Sequence, residues 1–189
     1  MGTRSDIIVH RTDGKWHRIY CHWDGYLSHN GKILFENYNS QKKAERLVKL
    51  GDLSSLGEKI GVKHPFEAPD RWLPEGKGVG FMEKKNPAFE EYKAKYEGMC
   101  LAYGRDRGEK DVGGTVADTL AGCWPENDTW TEFTYVWDEG KWWVGDPDEG
   151  TQTLIELGDA LAGKKTLKPA IKAFGMVLGH HAAHVPGGK

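Results

Sequence analysis

An α+β fold, an antiparallel sheet built from hairpins with helices packed on one face, is what this sequence predicts, and three observations predict it. Two runs rich in β-branched and aromatic residues, 5–10 and 16–23, flank Asp13-Gly14, a pair suited to the left-handed backbone of a tight hairpin turn. Two more runs, 130–137 and 141–144, flank Glu139-Gly140 in the same way. Between and beyond the hairpins, apolar residues recur at helical spacing.

Taken in order, the first hairpin is followed by Ile33, Leu34 and Phe35, which lead to Tyr38 in a short helical pattern. Ser40 is placed to cap a second helix in which Ala44, Leu47 and Val48 line one face, and Gly51 supplies the stop. Residues 52–80 lose this periodicity and carry Pro65, Pro69, Pro74 and the run Gly76-Lys77-Gly78-Val79-Gly80, so a long surface excursion is expected. A helix over 87–96 and a strand over 99–103 come next. In the second hairpin a two-residue turn sets Trp137 opposite Trp142 and Val136 opposite Trp143, an aromatic pairing that anchors the sheet. Helical segments near 151–161 and 167–184 and a Pro-Gly-Gly tail finish the chain. The organisation expected is a single α+β domain over residues 1–150, with 151–189 as a helical extension packed on the same domain and ending in a frayed tail.

The chain has 189 residues, enough to bury one sizeable core. Eight Trp, seven Tyr and six Phe argue against disorder and for an aromatic-rich interior. No apolar window approaches the ~18 residues of a membrane span, and no basic-then-apolar leader opens the chain; neither membrane insertion nor secretion is expected. A net charge of -2 lacks the basic footprint of a dedicated nucleic-acid binder. Cys21, Cys100 and Cys123 are odd in number and far apart, with no C-x-x-C pair. They read as free thiols of a reducing cytoplasm and not as a zinc or redox motif.

Two clusters are candidates for a binding site. The first is Tyr20-Cys21-His22-Trp23-Asp24-Gly25-Tyr26, at the end of a predicted strand, where the sheet fixes the backbone and the loop leaves side-chain tips accessible. Alternation sends Tyr20 and His22 to one side and Cys21 to the other, which argues against a Cys/His nucleophile pair. The second is Tyr103-Gly104-Arg105-Asp106-Arg107-Gly108-Glu109, where two arginines between glycines offer bidentate donors to phosphate or carboxylate. The site predicted joins His22, Asp24 and Tyr26 to Arg105, Asp106 and Arg107, with a host protein or an anionic small molecule as partner. No catalytic residue, cofactor or metal is assigned: His180 and His184 have i, i+4 spacing but no Glu follows His180 as in a zincin. For a protein partner the Trp-rich, acidic second hairpin is the expected interface.

The opening Met1-Gly2-Thr3-Arg4-Ser5, the block from Tyr20 to Tyr26, Gly51-Asp52-Leu53-Ser54-Ser55-Leu56-Gly57 and Gly104-Arg105-Asp106-Arg107-Gly108-Glu109 stand in that order. Together they resemble a widespread group of small, uncharacterised bacteriophage and prophage proteins, over roughly residues 1–144. The resemblance implies a setting, the cytoplasm of an infected bacterial host, and an accessory protein that binds and modulates a host factor or a defence signal. The alternative is an enzyme acting on a phosphorylated or nucleotide substrate, with His22 or Asp24 as acid/base and the arginines holding the anion.

Overall fold

The computed structural model describes residues 2–73, 84–125, 131–145, 153–164 and 168–169. Its centre is the expected first hairpin. Strands β1 (Ser5–His10) and β2 (Trp16–Cys21) pair antiparallel from Ser5↔Cys21 to His10↔Trp16. Their turn is closed by the Asp13 carboxylate, which accepts the Lys15 N–H at 3.1 Å. Helices α1 (Lys32–Asn37) and α2 (Gln41–Val48) follow. Ser40 does stand at the N-cap of α2, but its hydroxyl makes no capping bond.

Residues 52–80 are not wholly irregular. Strand β3 (Leu53–Ser55) lies parallel to β2 through Cys21↔Leu53, and β4 (Trp72–Leu73) pairs with β5 (Lys84–Lys85) in a separate two-stranded ribbon. Helix α3 (Pro87–Tyr96) begins with Pro87 at its first position and Asn86 as cap, whose side chain accepts the Ala88 N–H, the combination that satisfies orphan donors at a helix start. Strand β6 (Leu101–Ala102) pairs with β3; β7 (Thr115–Ala117) pairs with the first half of β2; and α4 (Leu120–Cys123) leads on.

The second hairpin, β8 (Phe133–Asp138) and β9 (Lys141–Gly145), has the expected register, with Trp137↔Trp142 and Val136↔Trp143. Its turn residues Glu139 and Gly140 sit at φ 48 and 79, the two left-handed positions that make this turn type match strand twist. β8 runs parallel to β1. The sheet is therefore mixed, mostly antiparallel with two parallel pairs. The helix expected near 151–161 is a strand followed by a helix: β10 (Thr153–Glu156) extends the sheet from β9, and α5 (Leu157–Leu161) follows. The open edge of β9 provides ladder partners for Leu154 and Ile155, and pairing overrides local preference there. Beyond it only β11 (Lys168–Pro169) is described, paired with β10. The expected helix over 167–184, His180 and His184, and the tail otherwise lie outside the described residues.

Alternation sorts the sheet into two unequal faces. Ile7, Val9, Ile19, Cys21, Tyr135, Trp137, Trp142 and Val144 point to the first, where α1, α2 and α5 bring Leu34, Ala44, Leu47, Val48 and Leu157. The indoles are also tied by hydrogen bonds, Trp137 Nε1 donating to Gln41 Oε1 at 2.7 Å and Trp142 Nε1 to the Tyr38 carbonyl at 3.0 Å. Tyr135 Oη donates to the Gly25 carbonyl at 2.8 Å. These three buried aromatics thus keep their polar atoms satisfied. The other face carries a smaller cluster, Ile8, Trp16, Val136, Trp143 and Leu154, covered by Leu120 and Cys123 of α4. α4 therefore packs opposite the face that holds α1, α2 and α5. No helix among the described residues is long and apolar enough to cross a membrane.

Because Trp137 is 2% exposed and joins strand to helix through both packing and its N–H, Trp137→Ala is expected to destabilise the fold by about 3–5 kcal/mol. Urea denaturation followed by fluorescence or circular dichroism measures this; a loss under about 1 kcal/mol contradicts the packing described.

Candidate functional site

The site grows out of a discontinuity along β2. Its outer edge pairs with β7 at Trp16, His17 and Arg18 and with β3 only at Cys21. Between these, the Tyr20 N–H has no strand to meet and donates to Asp52 Oδ1 at 2.8 Å. A carboxylate thus stands in for a strand carbonyl, and the chain around it is held apart from β2. Gly114 makes the opposite approach: its φ is 78 and an added Cβ would lie 2.0 Å from the Arg18 carbonyl oxygen, so only glycine fits. The result is an open cleft of about 620 Å³ on the half of the second face that α4 leaves bare. Arg4, Asp6, Arg18 and Tyr20 from the hairpin, Asp52 and Asp111 from the crossing chain, and Thr115 and Thr131 line it.

Asp6 lies deepest, with a side chain 6% exposed. Thr131 hydrogen-bonds its carboxylate, and Arg18 Nε stands 3.9 Å from Oδ1, an ion-pair distance beyond hydrogen-bond range. Asp6 Oδ2 and one terminal nitrogen of Arg18 have no hydrogen-bond partner among the described residues. Arg18 is held otherwise by a long bond to Thr115 Oγ1, 3.4 Å. Burial pushes the Asp6 carboxyl above its ordinary value, a rise reinforced by the Asp52 charge and opposed by Thr131 and Arg18. Burial raises Asp52 too, against the Tyr20 amide bond and Arg18. Two carboxyls, each raised by burial, therefore lie against one guanidinium.

Tyr20 links this pair to the cleft margin. Burial pushes its phenol up, opposed by Arg4, which hydrogen-bonds the hydroxyl. Tyr20 Oη lies 2.9 Å from His22 Nδ1. Arg4 donates to the same oxygen, so the phenol is held between a guanidinium and an imidazole. His22 thus reaches the cleft through Tyr20, and no carboxylate orients it. Asp24 occupies a left-handed turn position, φ 57, and its carbonyl accepts the Asn30 N–H. Tyr26 is 39% exposed and tilts against His29 with ring centroids 5.9 Å apart.

Arg105 and Asp106 sit in a π-helical turn (Tyr103–Arg107) after β6 and act within the fold. Four of the five N–H donors of Arg105 are taken, two by Asp106 and one each by the Ile60 and Cys100 carbonyls. Asp106, with a fully buried side chain, also accepts the Ala102 and His64 N–H groups. Burial alone would raise its carboxyl, but the bonds from Arg105, Ala102 and His64 outweigh it and hold the carboxyl below its ordinary value. Arg107 is the exposed member: it pairs with Glu109 at 3.1 Å and lies over the rings of Phe66 and Tyr103, 5.0 and 6.0 Å from their centroids. The three tryptophans of the second hairpin, Trp137, Trp142 and Trp143, are buried, so they offer no exposed interface.

Sequence reasoning missed Arg4, Asp6, Arg18 and Asp52. A signal for three of the cleft residues was available, since period-two alternation puts Asp6, Arg18 and Tyr20 on one face of two apolar strands, where a charge demands a reason. All three thiols are buried, and burial pushes Cys21 up to about 12, so it supplies no thiolate near neutral pH. The described residues hold no group of three or more His, Cys, Asp and Glu placed to grip a metal ion.

Two predictions separate these roles. Arg105→Ala is expected to cost about 3 kcal/mol or more in urea denaturation, because it strands a buried carboxylate, whereas Arg107→Ala stays within about 1 kcal/mol; equal losses would show that the two arginines do not differ as described. The second concerns Asp6, whose folded pKa is raised above 3.8. The native state then holds the proton more tightly than the unfolded chain, so the contribution of Asp6 to stability falls as pH rises through its raised pKa. Asp6→Asn is expected to gain Tm relative to the parent protein as pH rises above the ordinary carboxyl value of 3.8, and a flat or falling difference contradicts the burial argument. No family model matches the chain, and no curated protein or solved structure matches it.

Proposed function

We propose that the chain is a binding protein that takes a small polar molecule into the Asp6–Arg18 cleft, and that it does so as a bacteriophage accessory protein modulating a host factor or defence signal. The carrying observation is the pair at the cleft floor, a buried carboxylate oxygen and a guanidinium nitrogen that find no hydrogen-bond partner among the described residues, in the wall of an open cavity. Leaving such a group unmet costs about 1–3 kcal/mol, and a ligand that meets both recovers it. The phage setting rests on the resemblance of the four blocks, three of which contribute Arg4, Tyr20 and Asp52 to the cleft walls.

Binding is favoured over catalysis by the surroundings of His22. Its Nδ1 meets a phenol and not a carboxylate, and Arg105 is engaged by Asp106 and backbone carbonyls, so the acid/base pair and anion clamp of an enzyme on a phosphorylated substrate are not assembled from those residues. A small ligand is favoured over a protein because the second hairpin buries its tryptophans.

Native mass spectrometry of the protein isolated from infected cells tests the proposal. A small-molecule adduct is expected on the parent protein, with occupancy reduced about tenfold or more in Asp6→Asn. A bare mass for both, together with no Tm change across nucleosides, nucleotides and amino acids, overturns it.

A further inference from the structure

We infer that the cleft reads the edge of a neutral amino-keto nucleobase, guanine in type, and is not a phosphate site; this rests on the binding reading above. The cleft walls carry three carboxyls, Asp6, Asp52 and Asp111, against two guanidiniums, Arg4 and Arg18. A free phosphate brought there would face an excess of like charge, and like charges at close range repel strongly where water is partly excluded. Both arginines are also already committed in part, Arg4 to the Tyr20 hydroxyl and Arg18 between Thr115 and Asp6. Among the described residues, Asp6 Oδ2 finds no donor and one terminal nitrogen of Arg18 no acceptor.

A ligand edge that supplies both at once carries N–H groups next to a carbonyl. Among the bases, adenine and cytosine each present a single exocyclic amino donor. Guanine presents two donors on one edge, N1–H and the 2-amino group, and two acceptors, O6 and N7, on the other, the latter being the pattern a guanidinium recognises bidentately. Asp6 on β1 and Asp52 just before β3, both within the influence of the Arg18 guanidinium on β2, match that count. The pairing register supports the placement: Asp6 lies opposite Tyr20 and Ile8 opposite Arg18, so Asp6 and Arg18 are diagonal neighbours on one face, side by side and not stacked in depth. The Tyr20 ring stands in the wall beside them and offers an aromatic surface to a planar ligand.

Calorimetric titration of the full chain at neutral pH with guanosine, inosine, adenosine and inorganic phosphate tests the inference. Guanosine is expected to bind, inosine, which lacks only the 2-amino group, to bind about tenfold weaker or worse, and adenosine and phosphate to give no binding heat. Asp6→Asn and Arg18→Gln are each expected to weaken guanosine about tenfold or more, with the Tm of Asp6→Asn at neutral pH showing that the variant is folded. If guanosine fails while another compound binds in a manner sensitive to Asp6→Asn, the base assignment is overturned and the binding reading stands. Phosphate binding without guanosine binding, equal affinity for guanosine and inosine, or guanosine binding insensitive to both variants overturns the assignment as well. If none of the four binds, the base assignment falls, and the binding reading falls with it only when native mass spectrometry also shows a bare mass and the Tm screen stays flat.

Discussion

The architecture depends on the unpaired stretch of β2. A strand in the middle of a sheet normally satisfies both of its edges with backbone partners, yet here β7 covers only the first half of the outer edge and β3 touches only the end. The Asp52 carboxylate takes the Tyr20 N–H that falls in the gap. Because that acceptor is a side chain and not a strand, the sheet does not close over Tyr20, and a charged oxygen is delivered where a neutral carbonyl would have been. One substitution of acceptor type thereby creates both the opening and part of its electrostatics.

The two faces of the sheet show what the rest of the chain does with that opening. Three helices seal the first face, and the long aromatic side chains of the second hairpin fill it to the point where even their N–H and O–H groups find partners. On the other face α4 is a single short turn that reaches Ile8, Trp16 and Val136 but not Asp6 or Thr134. Polar residues at the ends of β1 and β8, in register as Asp6↔Thr134, continue the same rows that are apolar one step further along. The sheet thus changes from core to site within one pleat.

How much of this was legible follows from how local each signal is. Both hairpins and the Trp137↔Trp142 register were legible, because alternation and a turn pair act over a few consecutive residues. Residues 153–161 were not, since a run such as Leu154-Ile155-Glu156-Leu157 fits strand or helix and the decision lies with the β9 edge. β3 was hidden for a related reason: it is three residues long and joins β2 through one pair. The cleft was the least legible, because its walls come from separate stretches of chain and no single stretch carries a motif. Asp6 inside Ser5-Asp6-Ile7-Ile8-Val9 was the exception, a charge in an apolar run whose face could be computed from its neighbours. The arginine loop shows the converse. Gly104 and Gly108 around Arg105 and Arg107 suggested a mobile anion grip, whereas Arg105 bonds carbonyls from two other segments and only tertiary contacts reveal this.

That internal use of Arg105 also bears on why the cleft holds its shape. Asp106 receives N–H groups from Ala102 and His64, and Arg105 reaches Ile60 and Cys100, so the turn after β6 binds the chain that follows β3 to the sheet edge. Asp52 lies just before β3, and its carbonyl accepts the Tyr103 N–H, which ties it to the same turn. A carboxylate that must replace a strand partner works only if its backbone is fixed, because a floating Asp52 would solvate itself and release the Tyr20 N–H. The satisfied, buried charge pair at Arg105–Asp106 is therefore the counterpart of the one at Asp6–Arg18: the first gives up its chemistry to rigidity, and that rigidity holds the walls of the second in place at a cost to stability.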